Sequence, residues 1–218
     1  MNIGLRTFLV KNRLLLAVLL IALGIVIGIY ATFWVSWIFF LAAIIMIVAH
    51  FLIGPITLIQ YYLENGDFDT AKSLLEGIKF PNLLYKPVRS TYYMLKGNFS
   101  TMDDNLDSAE ADIKKSLEAG IADKAYEGTA YLQLGSISYK KGNLREAYEH
   151  LRKSVQLGLP DADSNASAYL QLCSICMQRR DFKACKQYFK KAKDARASNP
   201  QILDQLKEME KYMSRIPG

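Results

Sequence analysis

The chain opens on a long apolar run and then switches to a periodic pattern. From Leu14 to Ile53 no residue is charged, apart from the ionisable His50. As a single helix this run of 40 residues would be about 60 Å long, twice a hydrocarbon core of about 30 Å. It therefore predicts a hairpin of two transmembrane helices, Leu14 to Tyr30 and Trp34 to Ile53. The turn region holds Tyr30, Phe33, Trp34 and Trp37, and Tyr and Trp favour the membrane interface. The alternative is a cleaved signal peptide over Lys11 to Ala31. No convincing small-x-small cleavage site is present, and a second apolar segment follows at once. Gly54-Pro55 ends the second span, and Pro is tolerated in the first turn of the helix that follows.

Beyond this point the apolar residues recur at helical spacing, and the spacing itself repeats every 38 residues. Tyr131-Leu132-Gln133-Leu134 returns as Tyr169-Leu170-Gln171-Leu172. A small residue recurs at Ala71, Ala109, Ala147 and Cys185. The apolar residue before it is Phe68, Leu106, Leu144 and Phe182; the one after it is Leu75, Ile113, Leu151 and Phe189. The helix carrying them opens at Asp67, Asn105, Asn143 and Asp181, side chains that accept from orphan helix amides. Columns that hold one period through four copies predict stacked helix pairs.

These columns resemble the tetratricopeptide repeat family. Its pattern of aromatic, Leu-Gly, Tyr, then Gly-Asn/Asp-Leu/Tyr and Ala is met in repeat three by Tyr131, Leu134, Gly135, Gly142, Asn143, Leu144 and Ala147. There the Tyr falls one place late, at Tyr139. Repeat four matches at Tyr169, Leu172, Asp181 and Phe182, with Cys173 and Cys185 in small-residue positions. Repeats one and two match mainly in their second helices; Leu58, Tyr62 and Gly66 add to the first, and Lys96-Gly97 stands where Leu-Gly is expected. The resemblance covers Pro55 to Ala197, with a period a few residues above the usual ~34. Gly120 and Gly158 also suit a related family of longer, glycine-richer repeats, although its glycine-rich turn between helices is missing.

The expected organisation is all-α: a basic segment and hairpin over 1–54, repeats over 55–199 and a capping segment over 200–218. Phe80 to Pro87 reads as a loop. Repeat two then has helices at Val88 to Thr101 and Leu106 to Ala119. A last helix, Gln201 to Met213, carries Leu203, Leu206, Met209 and Met213 on one face and charges on the other, as a solenoid cap requires.

Charge sharpens this picture. All 21 acidic residues lie at or after Glu64, and only Arg6, Lys11 and Arg13 are basic before it. The remainder holds 24 Lys and Arg against 21 acidic residues, so the net +6 overstates how basic the repeats are. Net charge alone therefore implies no nucleic-acid binding. Cys173, Cys176 and Cys185 all sit in repeat four. Cys173-x-x-Cys176 has metal-pair spacing, but a zinc site needs further ligands, and neither His50 nor His150 is an obvious one. Two of the three fill small buried columns, so core packing is the reading adopted, with a reducing compartment to match. No phosphate loop, His-Glu-x-x-His or nucleophile elbow is present, so no enzyme, cofactor or metal is expected.

Stacked helix pairs form extended concave surfaces that bind partners. The family resemblance implies that first helices line that face, giving Met94, Leu95 and Asn98 in repeat two, Gln133, Ser136, Tyr139 and Lys140 in repeat three, and Gln171, Ser174, Met177 and Gln178 in repeat four. The Lys and Asn carboxylate clamp of some family members is not visible. A basic stripe of Lys183, Lys186, Lys190 and Lys193, extended by Arg179 and Arg180, suits an acidic partner or anionic lipid; a solvated face is the plainer reading. Gly24 and Gly28 allow close helix approach, either against Ala42, Ala43 or Ala49 inside the hairpin or in a homo-oligomer or partner contact. The expectation is a scaffold in a bacterial inner membrane, or another membrane with a reducing side. Basic residues before the first span place both termini in the cytoplasm, where the repeats recruit a protein partner. A structural subunit held by its hairpin is the alternative.

Overall fold

A computed structural model describes the backbone of residues 8, 12–30, 33–53 and 55–213. Arg6, Lys11, Gly54, the interfacial side chains of Tyr30, Phe33 and Trp34, and positions 214–218 of the capping segment lie outside the described residues. The described residues form eleven α-helices and one 3-10 turn. They fall into two compact units, 1–95 and 96–218.

The first unit begins with an antiparallel hairpin of α1 (Arg13–Tyr30) and α2 (Phe33–Ile53). The short connection sets the register, so the second half of α1 meets the first half of α2. Ser36 donates a buried hydrogen bond of 2.8 Å to the Gly24 carbonyl. A Cβ on Gly24 would lie 3.3 Å from Phe39 Cβ, and one on Gly28 would lie 3.2 Å from Ser36 Oγ. The seam at the two glycines is therefore internal, and its partners are Ser36, Phe39 and Phe40 rather than Ala42, Ala43 or Ala49. Ala17 and Ala43 are themselves fully buried. At the open end, Arg13 donates to the Ala49 carbonyl at 3.3 Å.

Among the described residues, no helix is long and apolar enough to cross a membrane.

Two short helices follow, α3 (Ile56–Glu64) and α4 (Phe68–Glu76). Ile56, Leu58, Ile59, Ala71 and Leu75 are buried in this unit. A 3-10 turn at Pro81–Leu83 leads into α5 (Lys86–Met102). The helix starts earlier than expected because Pro87 sits in its first turn, where a missing amide hydrogen costs nothing.

The second unit holds α6 (Leu106–Ala119), α7 (Lys124–Lys140), α8 (Leu144–Leu157), α9 (Ala162–Gln178), α10 (Phe182–Asp194) and α11 (Pro200–Met213). Its hairpins share one internal joint. A Cβ on Gly97 would fall 2.5 Å from Ile113 Cδ1, and one on Gly135 would fall 2.6 Å from Leu151 Cγ. Cys173 occupies the same column in repeat four and is fully buried with Cys185.

The turns repeat as faithfully. Gly66, Asp104, Gly142 and Arg180 all take positive φ, at 76°, 57°, 80° and 59°. The residue after each donates its amide to a carbonyl five residues back, at 2.9, 2.8, 2.9 and 2.9 Å. This is the helix-ending bond pattern built around a left-handed residue. Asp67, Asn105 and Asp181 cap the next helix through their side chains at 3.1, 3.2 and 3.1 Å. Asn143, expected to do the same, makes no side-chain cap bond.

The last helix packs Ile202, Leu206, Met209 and Met213 on a core of Leu170, Cys173, Cys176, Cys185, Phe189 and Ala192. Leu203, assigned to that face from the sequence, is instead 38% exposed. Ile202 takes its place because 202, 206, 209 and 213 follow one helical stripe.

Candidate partner-binding groove

Three helices of the second unit, α7, α9 and α11, converge on a cavity of about 260 Å³. Tyr139, Gln171 and Ser174 line it from the repeats; Gln205, Glu208 and Tyr212 line it from α11. Leu170 and Met209 contribute the apolar floor. Side chains on the first helices of adjacent repeats are joined across this face. The Ser136 hydroxyl lies 3.0 Å from both the Leu132 carbonyl and Gln171 Oε1. Gln178 donates to the Tyr139 hydroxyl at 2.9 Å. Ser174 donates back to the Leu170 carbonyl at 3.0 Å, and Gln171 Nε2 reaches Ser167 Oγ at 3.4 Å.

Five of the anticipated groove residues, Ser136, Tyr139, Gln171, Ser174 and Gln178, thus form one polar surface. Gln133 is half-buried, and its Oε1 is a buried acceptor without a hydrogen-bond partner. Lys140 is exposed. Met177 packs against the cysteine-containing core, so its thioether serves the interior. Asn98 is half-buried in the second unit, whereas Met94 lies in the first. Gln205, Glu208 and Tyr212 were not anticipated, because on the sequence α11 reads only as a cap. Their i, i+3, i+7 spacing was the available signal.

The basic stripe is divided by its neighbours. Arg179 donates to the Leu144 carbonyl at 2.9 Å and lies 4.8 Å over the Tyr148 ring. Lys193 pairs with Glu210 at 2.7 Å. Arg180 occupies a left-handed turn position. Lys183 and Lys190 are exposed, and Lys186 is half-buried. Beside the stripe, the Tyr148 and Tyr188 hydroxyls meet at 3.3 Å, and Tyr169 stacks on Tyr188. Burial, then the bond to Tyr148, pushes the Tyr188 hydroxyl above the usual phenol range.

Two clamps hold the frame. Lys141 bridges Asp107 at 2.6 Å and Glu110 at 2.8 Å, tying repeat three to repeat two. Lys114 and Lys141 keep the Glu110 carboxyl below its ordinary range. Asp163, in the first turn of α9, accepts from the Ser198 and Asn199 amides at 2.6 and 3.0 Å, so it fixes the start of α11. Those backbone bonds depress the Asp163 carboxyl.

Stacked helix pairs with a side-chain-lined inner face define a helical-repeat protein of the interaction class. Residues 128–157 and 166–199, which are repeats three and four, match the tetratricopeptide repeat family. The fold is similar to the solved structure of pilF from Pseudomonas aeruginosa, with a TM-score of 0.55 and 14% identity over 91% of this chain and 86% of that one. No curated protein sequence matches.

Proposed function

We propose that this chain is a membrane-anchored tetratricopeptide-repeat scaffold that recruits a protein partner to the cytoplasmic face of a membrane, such as a bacterial inner membrane. The observation that carries the reading is the surface of the hairpin. Leu15, Val18, Ile29, Ile38, Ile44 and Ile45 are between 56% and 73% exposed, with no acidic residue before Glu64. An apolar surface of this extent is unfavourable in water and favourable in lipid. The helical backbones of 18 and 21 residues reach about 27 and 32 Å, close to a hydrocarbon thickness of about 30 Å. Basic residues ahead of the first helix favour a cytoplasmic amino end.

At the repeats, amides, hydroxyls and Glu208 surround an apolar floor, chemistry suited to an extended peptide segment with polar backbone and at least one apolar side chain. Anchoring then raises the partner's local concentration and fixes its orientation.

The reading is tested by crosslinking the full chain in native membranes, beside a variant carrying Tyr139→Ala and Gln171→Ala. Loss of one dominant soluble partner, with membrane neighbours unchanged, supports recruitment through the groove. Retention of every partner by that variant, with loss of membrane partners in Gly24→Leu, favours a structural subunit held by its hairpin.

A further inference from the structure

The first unit carries a second feature, which deepens the membrane reading and rests on it. A cavity of about 400 Å³ lies where the open end of the hairpin meets α4 and the segment after it. Its walls are apolar, from Leu14, Phe51, Leu74, Ile78, Phe80 and Leu84, and Lys79 and His50 stand among them. The lining contains no carboxylate. That volume is within the range of small-molecule sites, about 300–1,000 Å³.

The segment closing this cavity has an unusual surface. Leu84 is buried and the Pro81–Leu83 turn is closed by amide bonds of 3.1 and 3.2 Å, so the backbone is pinned. Pinning Leu84 inward turns Phe80, Leu83 and Tyr85 outward, at 60%, 53% and 61% exposure. Lys79, Lys86 and Arg89 flank them, and no acidic residue occurs from Gly77 to Met102. Exposed aromatic and aliphatic tips between cations, continuous with an apolar hairpin, match the chemistry of an anionic lipid interface.

We propose that the 77–89 segment is a docking site for an anionic phospholipid. The lipid phosphate meets Lys79 and Lys86, Phe80, Leu83 and Tyr85 enter the headgroup region, and the neighbouring cavity accepts acyl chain. The site would hold repeat one against the bilayer. Each cation near an anionic surface contributes about fivefold in occupancy.

The test uses the full chain with Leu83→Cys labelled by an environment-sensitive fluorophore; the native cysteines are buried. Trp34 and Trp37 report on the hairpin. Vesicles contain phosphatidylcholine with or without phosphatidylglycerol, plus lipids quenching at shallow or deep positions. Expected are a several-fold rise in label fluorescence that requires phosphatidylglycerol, shallow quenching of the label, quenching of tryptophan with or without phosphatidylglycerol, and reversal of the label response by Lys79→Glu with Lys86→Glu. Tryptophan quenched without a label response overturns this site and leaves the anchor standing. Neither reporter quenched overturns both. A label response equal without phosphatidylglycerol, or one produced instead by cytosolic protein or by a second copy of the chain, also overturns the proposal.

Discussion

Gly135 lies against Leu151 so closely that a Cβ there would fall 2.6 Å from Leu151 Cγ. Neither residue can move far: Leu151 is fully buried, and Gly135 is held in the middle of α7. This contact sets the approach of α7 and α8 and thereby the position of Ser136 and Tyr139 on the groove. Gly135→Ala gains about 1 kcal/mol of helix propensity but overpacks a core joint at a cost of about 1–3 kcal/mol. The expected result is a net loss of up to about 2 kcal/mol in denaturant unfolding of the full chain, with reduced partner capture. Unchanged stability would show that the joint opens freely.

Asp163 links the last repeat to α11 through three bonds to Ser198 and Asn199. Its folded carboxyl lies below the ordinary value of 3.8. The contribution is therefore present above that value and lost as pH falls below it. Asp163→Ala should speed hydrogen exchange across Pro200–Met213 at neutral pH, and the difference from wild type should shrink in acid. An equal difference at both pH values would place the effect elsewhere.

Arg180 holds φ of 59° in a column where Gly66 and Gly142 hold 76° and 80°. A left-handed conformation costs an L-residue about 1–2 kcal/mol, and glycine returns part of that relief as chain entropy. Arg180→Gly should stabilise the chain by about 0.5–1 kcal/mol in chemical denaturation. Because the bonds at this turn are backbone bonds, the helix ending should persist.

Burial raises all three thiols, moving Cys176 up to about 11. A shift from 9 to about 11 lowers the thiolate fraction at neutral pH about a hundredfold. Alkylation of the native chain should be slow at every cysteine and become fast on denaturation, read by mass spectrometry. Rapid native labelling of Cys176 would show that repeat four opens locally.

Gly24→Leu would drive a side chain into Phe39 and Phe40 and disturb the Ser36 bond to the Gly24 carbonyl. Separation of α1 from α2 is expected, measured as loss of a crosslink between cysteines placed at Gly28 and Ser36, where a Cβ on Gly28 lies 3.5 Å from Ser36 Cβ. Gly28→Ala, against the flexible Ser36 hydroxyl, should be milder.

Much of the repeat architecture was legible as text. Helix pairing leaves a column signature, and the Ala, Leu and cap positions recur because each repeat solves the same packing problem. The second helix of repeat two falls at the expected residues, and the hairpin helices begin and end within about one residue of expectation. The groove was half legible: first-helix positions follow from the period, but their partners do not. Ser136 with Gln171 and Tyr139 with Gln178 are pairs between repeats, set by how one repeat rotates on the next. Met177 shows the limit, since one step along a helix separates a groove residue from a core residue.

The sequence by itself determined that the chain is helical, that it repeats, and that Asp, Glu, Lys and Arg are excluded from Leu14 to Ile53, because periodicity and composition are local properties. Tertiary structure alone decided which face each helix buries, that Gly24 and Gly28 seal the hairpin against Ser36, Phe39 and Phe40, and that Ile202 rather than Leu203 docks α11. It also brought Glu208 and Tyr212 into the groove. These depend on helix rotation and close approach, where one missing Cβ or one left-handed residue changes which surfaces can meet.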